Sequence, residues 1–402
     1  MKRNVGKMKA SCCYGCQACS NICPQGCIKM TEDKKGFLIP EVEEAKCINC
    51  GLCIKICPAK RQSSAASRTS IYAANIKDYD IRKKSTSGGV FYALAEYVIA
   101  QGGYVYGAAF DENYNVVHIC AKNLDDVKRC MKSKYVQSNM DKVYEQIAKQ
   151  SRTRLVLFTG TPCQAAAVSR YPNINVNNLI LVDVVCHGVP SPKLWRKYLW
   201  EKEKEYGHII SIKTRDKTVH GCLNSETVLR FSEGKEYRKV LDKDDYMRAF
   251  MRGYSLRDTC YNCNYKGRRH VSDLTMGDFV SAAKYVKNAD EFIGNSILIV
   301  NTDKGSEIIK RIKERLETHR IYSKKPLLED WTWGLSFTDR RQSDFFYESC
   351  FEQNYSIYRS TQKTKIYLNK KDNLEQRESI KEKLSRYKNK LKQIYYQQYF
   401  KL

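Results

Sequence analysis

The sequence predicts two folded parts in series: an α+β, cysteine-rich module over residues 1–62, and an α/β domain with a largely parallel sheet from residue 71. A C-terminal amphipathic helix closes the chain. Three observations predict this. Eight cysteines fall in two matching runs near the N-terminus. Beyond residue 71, short β-branched apolar runs alternate with small-residue loops and helix-spaced segments. Residues 380–394 carry an apolar stripe at 4-3-4-3 spacing.

The first run reads Cys13-x2-Cys16-x2-Cys19-x3-Cys23-Pro24, and the second Cys47-x2-Cys50-x2-Cys53-x3-Cys57-Pro58. This is the two-cluster 4Fe-4S ferredoxin spacing, in which the fourth cysteine of each run ligates the other cluster. The expected ligand sets are Cys13, Cys16, Cys19 and Cys57 on one cube, and Cys47, Cys50, Cys53 and Cys23 on the second. Two-residue gaps let one tight loop wrap three iron corners, and the following proline fixes φ and ends the loop. Zinc sites usually use two CxxC pairs rather than three cysteines in a row with a fourth before proline. Disulfides suit secreted chains, and no leader-type segment precedes these cysteines. Cys12 and Cys27 fall outside the spacing and read as spare, although Cys12 could compete with Cys13.

Between the half-sites, Ile28 to Pro40 holds two apolar pieces around Lys34-Lys35-Gly36, which predicts a hairpin. Residues 63–70 are small and polar and read as a linker. A strand is expected over Ile71 to Lys77, then a loop at Ser85-Thr-Ser-Gly-Gly89, a helix over Val90 to Ala100 and a strand over Tyr104 to Phe110. Arg154 to Phe158 reads as a strand, Thr159 to Cys163 as a sharp turn, and Gln164 to Arg170 as a helix with Pro162 near its start. Leu179 to Val185 is the next strand, Cys186 to Pro190 its exit loop, and Ser191 the cap of a helix beginning at Pro192. Ligand sites of such sheets lie outside the carboxyl ends of the strands, which is where Cys163 and Cys186 fall. Residues 71–150 and 151–360 form the two parts of this domain. In residues 361–402, Ile380, Leu384, Tyr387, Leu391 and Ile394 form the stripe of a basic amphipathic helix, suited to packing on the body or a partner subunit, or to peripheral membrane contact.

The chain has 402 residues, 42% hydrophobic, with 21 Gly and 8 Pro, a globular composition. No apolar run approaches the ~18 residues of a membrane helix. Eighteen cysteines without a leader or span predict a reducing cytoplasm. The formal charge is +26, and two oxidised cubes at about −2 each would lower it to roughly +22. Such a field suits an acidic electron carrier, an anionic substrate or a lipid surface. No nucleic-acid motif accompanies it, so no nucleic-acid partner is expected.

Downstream stand Cys260-x2-Cys263 and Asp273-Leu-Thr-Met-Gly-Asp278-Phe279. With Cys163 and Cys186, this pair could supply a third 4Fe-4S cluster; zinc, redox thiols or ordinary buried cysteines are the alternatives. Cys120, Cys130, Cys222 and Cys350 show no partner pattern and read as structural.

The motif set resembles the beta subunit family of coenzyme F420 hydrogenase/dehydrogenase. The matching pieces are Ser87-Gly88-Gly89, Lys134-Tyr-Val-Gln137-Ser138, Gly160-Thr161-Pro-Cys163-Gln164, Cys186-His-Gly188 with Pro190-Ser191, Cys260-x2-Cys263 and Asp273 to Phe279. Together with the ferredoxin module, the resemblance covers about residues 10–285. It implies FAD near the glycine-rich loops. Ser87, Gly88, Gly89, Gly160 and Thr161 would offer backbone N–H groups to a pyrophosphate. Lys134 would balance phosphate charge or lie near the flavin ring, and Gln137 and Ser138 would donate hydrogen bonds. Family members commonly follow the Gly-Asp-Phe motif with Trp-Gly, whereas Val280-Ser281 stands here. The expected activity is that of an iron–sulfur flavoprotein oxidoreductase working with an electron carrier or partner redox subunit. Its small-molecule substrate would be an F420-like coenzyme or a surface-polysaccharide sugar intermediate. The competing reading is a non-catalytic electron-transfer subunit, and no catalytic side chain is assigned.

Overall fold

A computed structural model describes residues 4–60, 69–267, 269–329 and 340–369. Most of the expected linker and the 380–394 helix lie outside these residues. Among them, no helix is long and apolar enough to cross a membrane.

The N-terminal module contains α1 (Ala18–Asn21), β1 (Ile28–Glu32), β2 (Leu38–Val42) and α2 (Leu52–Ile56). β1 and β2 pair antiparallel, with Ile28 opposite Val42, as the Lys-Lys-Gly turn predicted. Asp33 closes that turn by accepting from the Lys35 and Phe37 amides at 2.9 Å, an Asx turn that leaves Gly36 at φ 78°. The sequence repeat is also a backbone repeat. Gly15 and Gln17 before α1 have φ of 63° and 65°, and Asn49 and Gly51 before α2 have 55° and 76°. The same pair of left-handed residues bends each cysteine loop around its own centre.

The body is built on an eight-stranded mixed sheet. Its first strands are β3 (Ser70–Ile76), β4 (Tyr104–Phe110), β5 (Val116–Ala121), β6 (Val156–Gly160) and β7 (Leu179–Val184). A separate three-stranded sheet follows, made of β8 (Ile209–Asp216), β9 (Glu226–Phe231) and β10 (Glu236–Val240). The chain then returns with β11 (Leu274–Asp278), β12 (Ser296–Val300) and β13 (Leu316–Ile321), completing the order β13-β3-β12-β11-β7-β6-β4-β5.

The expected largely parallel sheet needs correction. β11, β7, β6 and β4 are mutually parallel, but the pairs outside this block are antiparallel. A parallel neighbour needs a crossover of a dozen or more residues. Residues 111–115 between β4 and β5 are too few, and Asp111 ties them into a tight turn by accepting from the amides of Asn113 and Asn115.

Helices cover both faces of the sheet. On one lies α4, which with the shorter α3 (Tyr79–Lys84) frames the Ser85–Gly89 loop; α4 spans Val90–Ala100, as its apolar spacing predicted. Its Val90, Leu94 and Val98 pack on β3, β4, β6 and β12. On the other face lie α6 and α7, reached after α5 (Leu124–Cys130) on the first face; α6 is Val143–Gln150 and α7 is Pro162–Val168. Ile147, Ala165 and Val168 join Phe158 and Leu181 in a core that also takes in Cys16, Ala18 and Ile56. The N-terminal module therefore shares an apolar core with the body. The contact is keyed by buried polar bonds: Tyr144 Oη donates to Cys16 O at 2.6 Å, and Arg257 Nη1 to Cys13 O at 2.8 Å.

The helix α8 (Pro192–Tyr206) starts where expected, with Ser191 Oγ accepting from Leu194 N at 3.1 Å. Its Leu194, Trp195 and Tyr198 pack with Tyr246, Phe346 and Tyr347 in a further core.

Candidate functional site

Each N-terminal cysteine centre draws three residues from one run and one from the other. Cys13, Cys16, Cys19 and Cys57 are all buried and lie close enough to feel one another. Burial pushes the Cys16 thiol well above its ordinary range, and Cys19, Cys57 and Cys13 push it further. Cys23, Cys47, Cys50 and Cys53 line one cavity together with Asn4 and Cys27. Gly15 N donates to Cys13 Sγ at 3.3 Å and Asn4 Nδ2 to Cys47 Sγ at 3.4 Å, the kind of bond that tunes an iron–sulfur potential. All these cysteines are free of disulfides. Unpaired sulfur donors facing a common space fit a cluster well. The first centre is enclosed, whereas Cys50 of the second is exposed.

A third set of thiols forms at the carboxyl edge of the parallel strands. Cys163 follows β6 in the first turn of α7, and Cys186 follows β7. Cys260 and Cys263 come from a 3-10 turn over Asp258–Asn262 and the residue that ends it. All four line one cavity, with Tyr14, Thr161, Lys266 and His270 among the other walls. Burial pushes Cys163 and Cys186 far up and Cys260 up to about 11, and neighbouring thiols add to each rise. Among the described residues no three His, Cys, Asp or Glu side chains are gathered tightly enough for a single metal ion.

The enclosed ferredoxin centre and this cavity are neighbours. Cys16 is among the thiols that raise Cys163. Tyr14, between Cys13 and Cys16 in sequence, lines the cavity and packs edge-on to Tyr265 at 5.6 Å. Tyr14 Oη accepts from Asn264 N at 3.1 Å, and Tyr265 Oη donates to Pro58 O, next to Cys57, at 2.9 Å.

The residues expected around a flavin divide among three places. Gln137, Ser138, Gly160 and Thr161 belong to the sulfur side. Gln137 Nε2 donates to Tyr14 O at 2.8 Å while its Oε1 accepts from Arg257 Nε at 2.9 Å. Ser138 Oγ accepts from Gln164 Nε2 at 2.9 Å. Gly160 ends β6, and Thr161 Oγ1 lies 3.2 Å from Cys163 Sγ. Lys134 is spent elsewhere: its Nζ donates to Arg129 O and Met131 O at the end of α5.

Ser87, heading the Ser-Gly-Gly turn, bonds to the wall of another cavity, lined by Arg215, Cys222, Asp278, Phe279, Val280 and Asn295 among others. Ser87 Oγ donates to Asp278 Oδ1. Gly88 is not a free donor, because its N–H goes to Ser296 Oγ at 2.8 Å. A Cβ there would lie 2.3 Å from Ala74 O, so the glycine serves close packing on β3.

Arg215 and Lys217 escaped the sequence reading. They sit in an ordinary charged stretch of sequence, and in the structure Arg215 takes a left-handed φ of 56°. Arg215 Nη2 pairs with Asp278 Oδ2 at 2.6 Å. Burial works against the Arg215 charge, yet Asp278, Tyr135 and Cys222 together more than offset it and hold the guanidinium above its ordinary range. Its Nε is buried with no partner, although an unmet buried donor is costly. Lys217 Nζ donates to Ser87 O at 3.2 Å, and burial pushes it down to about 8. Cys222, expected to be structural, lies 3.6 Å from Arg215 Nη2 at the cavity wall.

Both cavities open where β7 and β11 end. Val185 of the sulfur cavity donates its N–H to Met276 O at 2.9 Å, two residues before Asp278.

Residues 71–145 match the family model described as coenzyme F420 hydrogenase/dehydrogenase, beta subunit N-term, and residues 153–324 match its C terminus. Residues 12–60 match a 4Fe-4S dicluster domain. A coenzyme F420-dependent sulfite reductase from Methanocaldococcus jannaschii is 30% identical over 159 residues, 38% of this chain and 24% of that protein. A component of an ion-translocating oxidoreductase complex from Methanosarcina acetivorans is 41% identical over 56 residues, 13% of this chain and 19% of that one. The chain thus spans a quarter or less of the length of these curated relatives. A solved structure of the F420-reducing NiFe hydrogenase complex from Methanosarcina barkeri aligns with a TM-score of 0.45 and 18% identity, covering 70% of this chain and 89% of that one.

Proposed function

The chain belongs to the coenzyme F420 hydrogenase/dehydrogenase beta subunit family, with a 4Fe-4S dicluster domain ahead of it, and from that membership we propose that it is an iron–sulfur flavoprotein oxidoreductase. It exchanges a hydride with an organic partner at the polar cavity and passes single electrons to or from a carrier at the exposed Cys50 edge. The observation that carries this reading is the buried contact between the first ferredoxin centre and the four-cysteine cavity through Tyr14 and Tyr265. A route of three thiol-lined centres, one of them carrying the exposed Cys50, suits electron relay.

In this reading Cys163, Cys186, Cys260 and Cys263 hold a third 4Fe-4S cluster. Arg215, Lys217 and Ser87 border the place for FAD. A flavin supplies the two-electron to one-electron conversion. The protein's own part is positional. The unpartnered Arg215 Nε meets an anionic group, the Lys217 ammonium adds positive charge behind it from its seat on the Ser87 and Ile293 carbonyls, and Asp278 fixes the Arg215 fork. Phe279 and Val280 shape the mouth, with Val280 standing where relatives carry tryptophan. The organic partner is an F420-like coenzyme or a sugar intermediate of surface-polysaccharide synthesis, chosen by that mouth.

The test is anaerobic quantification of iron, sulfide and flavin on reconstituted chain. About twelve irons with one FAD support the proposal. Iron without flavin would make the chain an electron-transfer module, the hydride chemistry then residing in a partner. Reduction of F420 against candidate sugar substrates separates the two substrate classes.

A pH dependence follows from Lys217. With its pKa pushed down to about 8, the ammonium that attracts an anion is present below that value and lost above it. Affinity for FAD, measured by fluorescence titration, is expected to fall as pH rises through 8 toward 9, and Lys217→Met should flatten the profile. A profile identical in Lys217→Met would refute this role.

A further inference from the structure

The second ferredoxin centre holds one cysteine more than a cube can use. Cys27 is 2% exposed and lines the same cavity as Cys23, Cys47, Cys50 and Cys53. Its Sγ lies 3.3 Å from Cys23 Sγ. A 4Fe-4S cube takes four protein thiolates, so five sulfurs share a site for four. The two competing sulfurs are held differently. Cys23 follows α1 and is half-buried. Cys27 enters β1, and its carbonyl accepts from Glu43 N at 2.8 Å, which fixes it beside the loop of Cys47. Gly26, at φ 57°, makes the bend that folds Cys27 back toward Cys23. Cys12, the other cysteine outside the motif, is exposed and lines neither thiol cavity.

We propose that Cys27 is a reserve ligand of the second cube, able to take the iron corner of Cys23. In the exchange, the Fe–S bond to Cys23 breaks and one to Cys27 forms. The proton leaving the Cys27 thiol is balanced by one taken up at Cys23, and no electron is transferred. Sulfurs 3.3 Å apart need only a side-chain rotation to trade places. The centre concerned is the one with an exposed edge, so it meets oxidants and chelators first. The inference rests on the reading of this cavity as a cluster site.

The test compares Cys23→Ser, Cys27→Ser, the double variant and Cys53→Ser, each reconstituted anaerobically and assayed for iron and by EPR after reduction. Cys23→Ser is expected to keep the full native iron count with altered g-values at one centre. The double variant and Cys53→Ser should each lose about four irons. Loss of about four irons by Cys23→Ser alone would overturn the inference while leaving the cluster reading intact. Full iron in Cys53→Ser would overturn the cluster reading and the inference with it. A second measurement does not depend on Cys23→Ser folding. Cys27→Ser should release its second centre's iron to a ferrous chelator several-fold faster than the native chain, and equal rates would count against the proposal.

Discussion

Exchanging Cys260 and Cys263 together for serine is expected to remove about four irons per chain and leave about eight in the N-terminal module. Hydride-driven reduction of an external one-electron acceptor should fall by at least a hundredfold, about 2.7 kcal/mol in barrier terms. The double variant is chosen because serine keeps the volume of each side chain, and the turn that carries them is anchored independently of the sulfurs. Cys260 N donates to Arg257 O at 2.8 Å, and Arg257 in turn donates to Cys13 O and Leu38 O. The N-terminal module therefore keeps its dock when the third centre is lost, and its EPR signals should persist. Iron, sulfide and EPR read the outcome. An unchanged iron count would show the four cysteines to be ordinary buried thiols, and the relay would then stop at the module. Partial loss with zinc in the remainder would identify a different metal.

What the sequence made legible, and what it did not, divides along the range of the forces involved. The eight motif cysteines could be read because their geometry is local. Paired left-handed residues at 15 and 17, and again at 49 and 51, repeat with the thiols they position. The helix over Val90–Ala100 and the strand over Tyr104–Phe110 could be read for the same reason, since periodicity within a dozen residues sets them. Cys163 and Cys186 could be placed at one edge because parallel strands end on the same side.

Strand direction was less accessible. β12 and β13 add to the sheet antiparallel beside β3, a choice made by connections far apart in sequence. The residues expected around a flavin are spread over three places for a related reason. A motif such as Lys134 to Ser138 records that its residues matter without saying which way each one faces. Gln137 faces the cysteine loop, and Lys134 caps a helix. Arg215 and Lys217 carried no signal at all. In sequence they resemble any solvated charge run, and only the fold buries them against Asp278 and Ser87.

That burial makes Arg215 the position where one change should cost most at the organic cofactor. Arg215→Leu is expected to weaken FAD retention about 10- to 150-fold, the range for one hydrogen bond to a charged group at 1.5–3 kcal/mol. The unpartnered Nε argues for a bound anion, because a buried donor left unmet would otherwise be a standing cost. Two effects are mixed in this variant. One is the lost contact to the ligand; the other is Asp278 left without its cation. The second is muted, because Asp278 is about one-third exposed and still accepts from Ser87. Fold stability should therefore drop by less than the 3–5 kcal/mol typical when a fully buried pair is broken. Arg215→Lys separates the effects. It restores a charge for Asp278 but not the planar fork, so stability should recover while FAD retention recovers only in part. Flavin content after gel filtration and thermal unfolding of the same samples give the two readouts. If Arg215→Leu retained flavin as the native chain does, the anionic group would have to bind elsewhere, and this cavity would be left to the hydride partner alone.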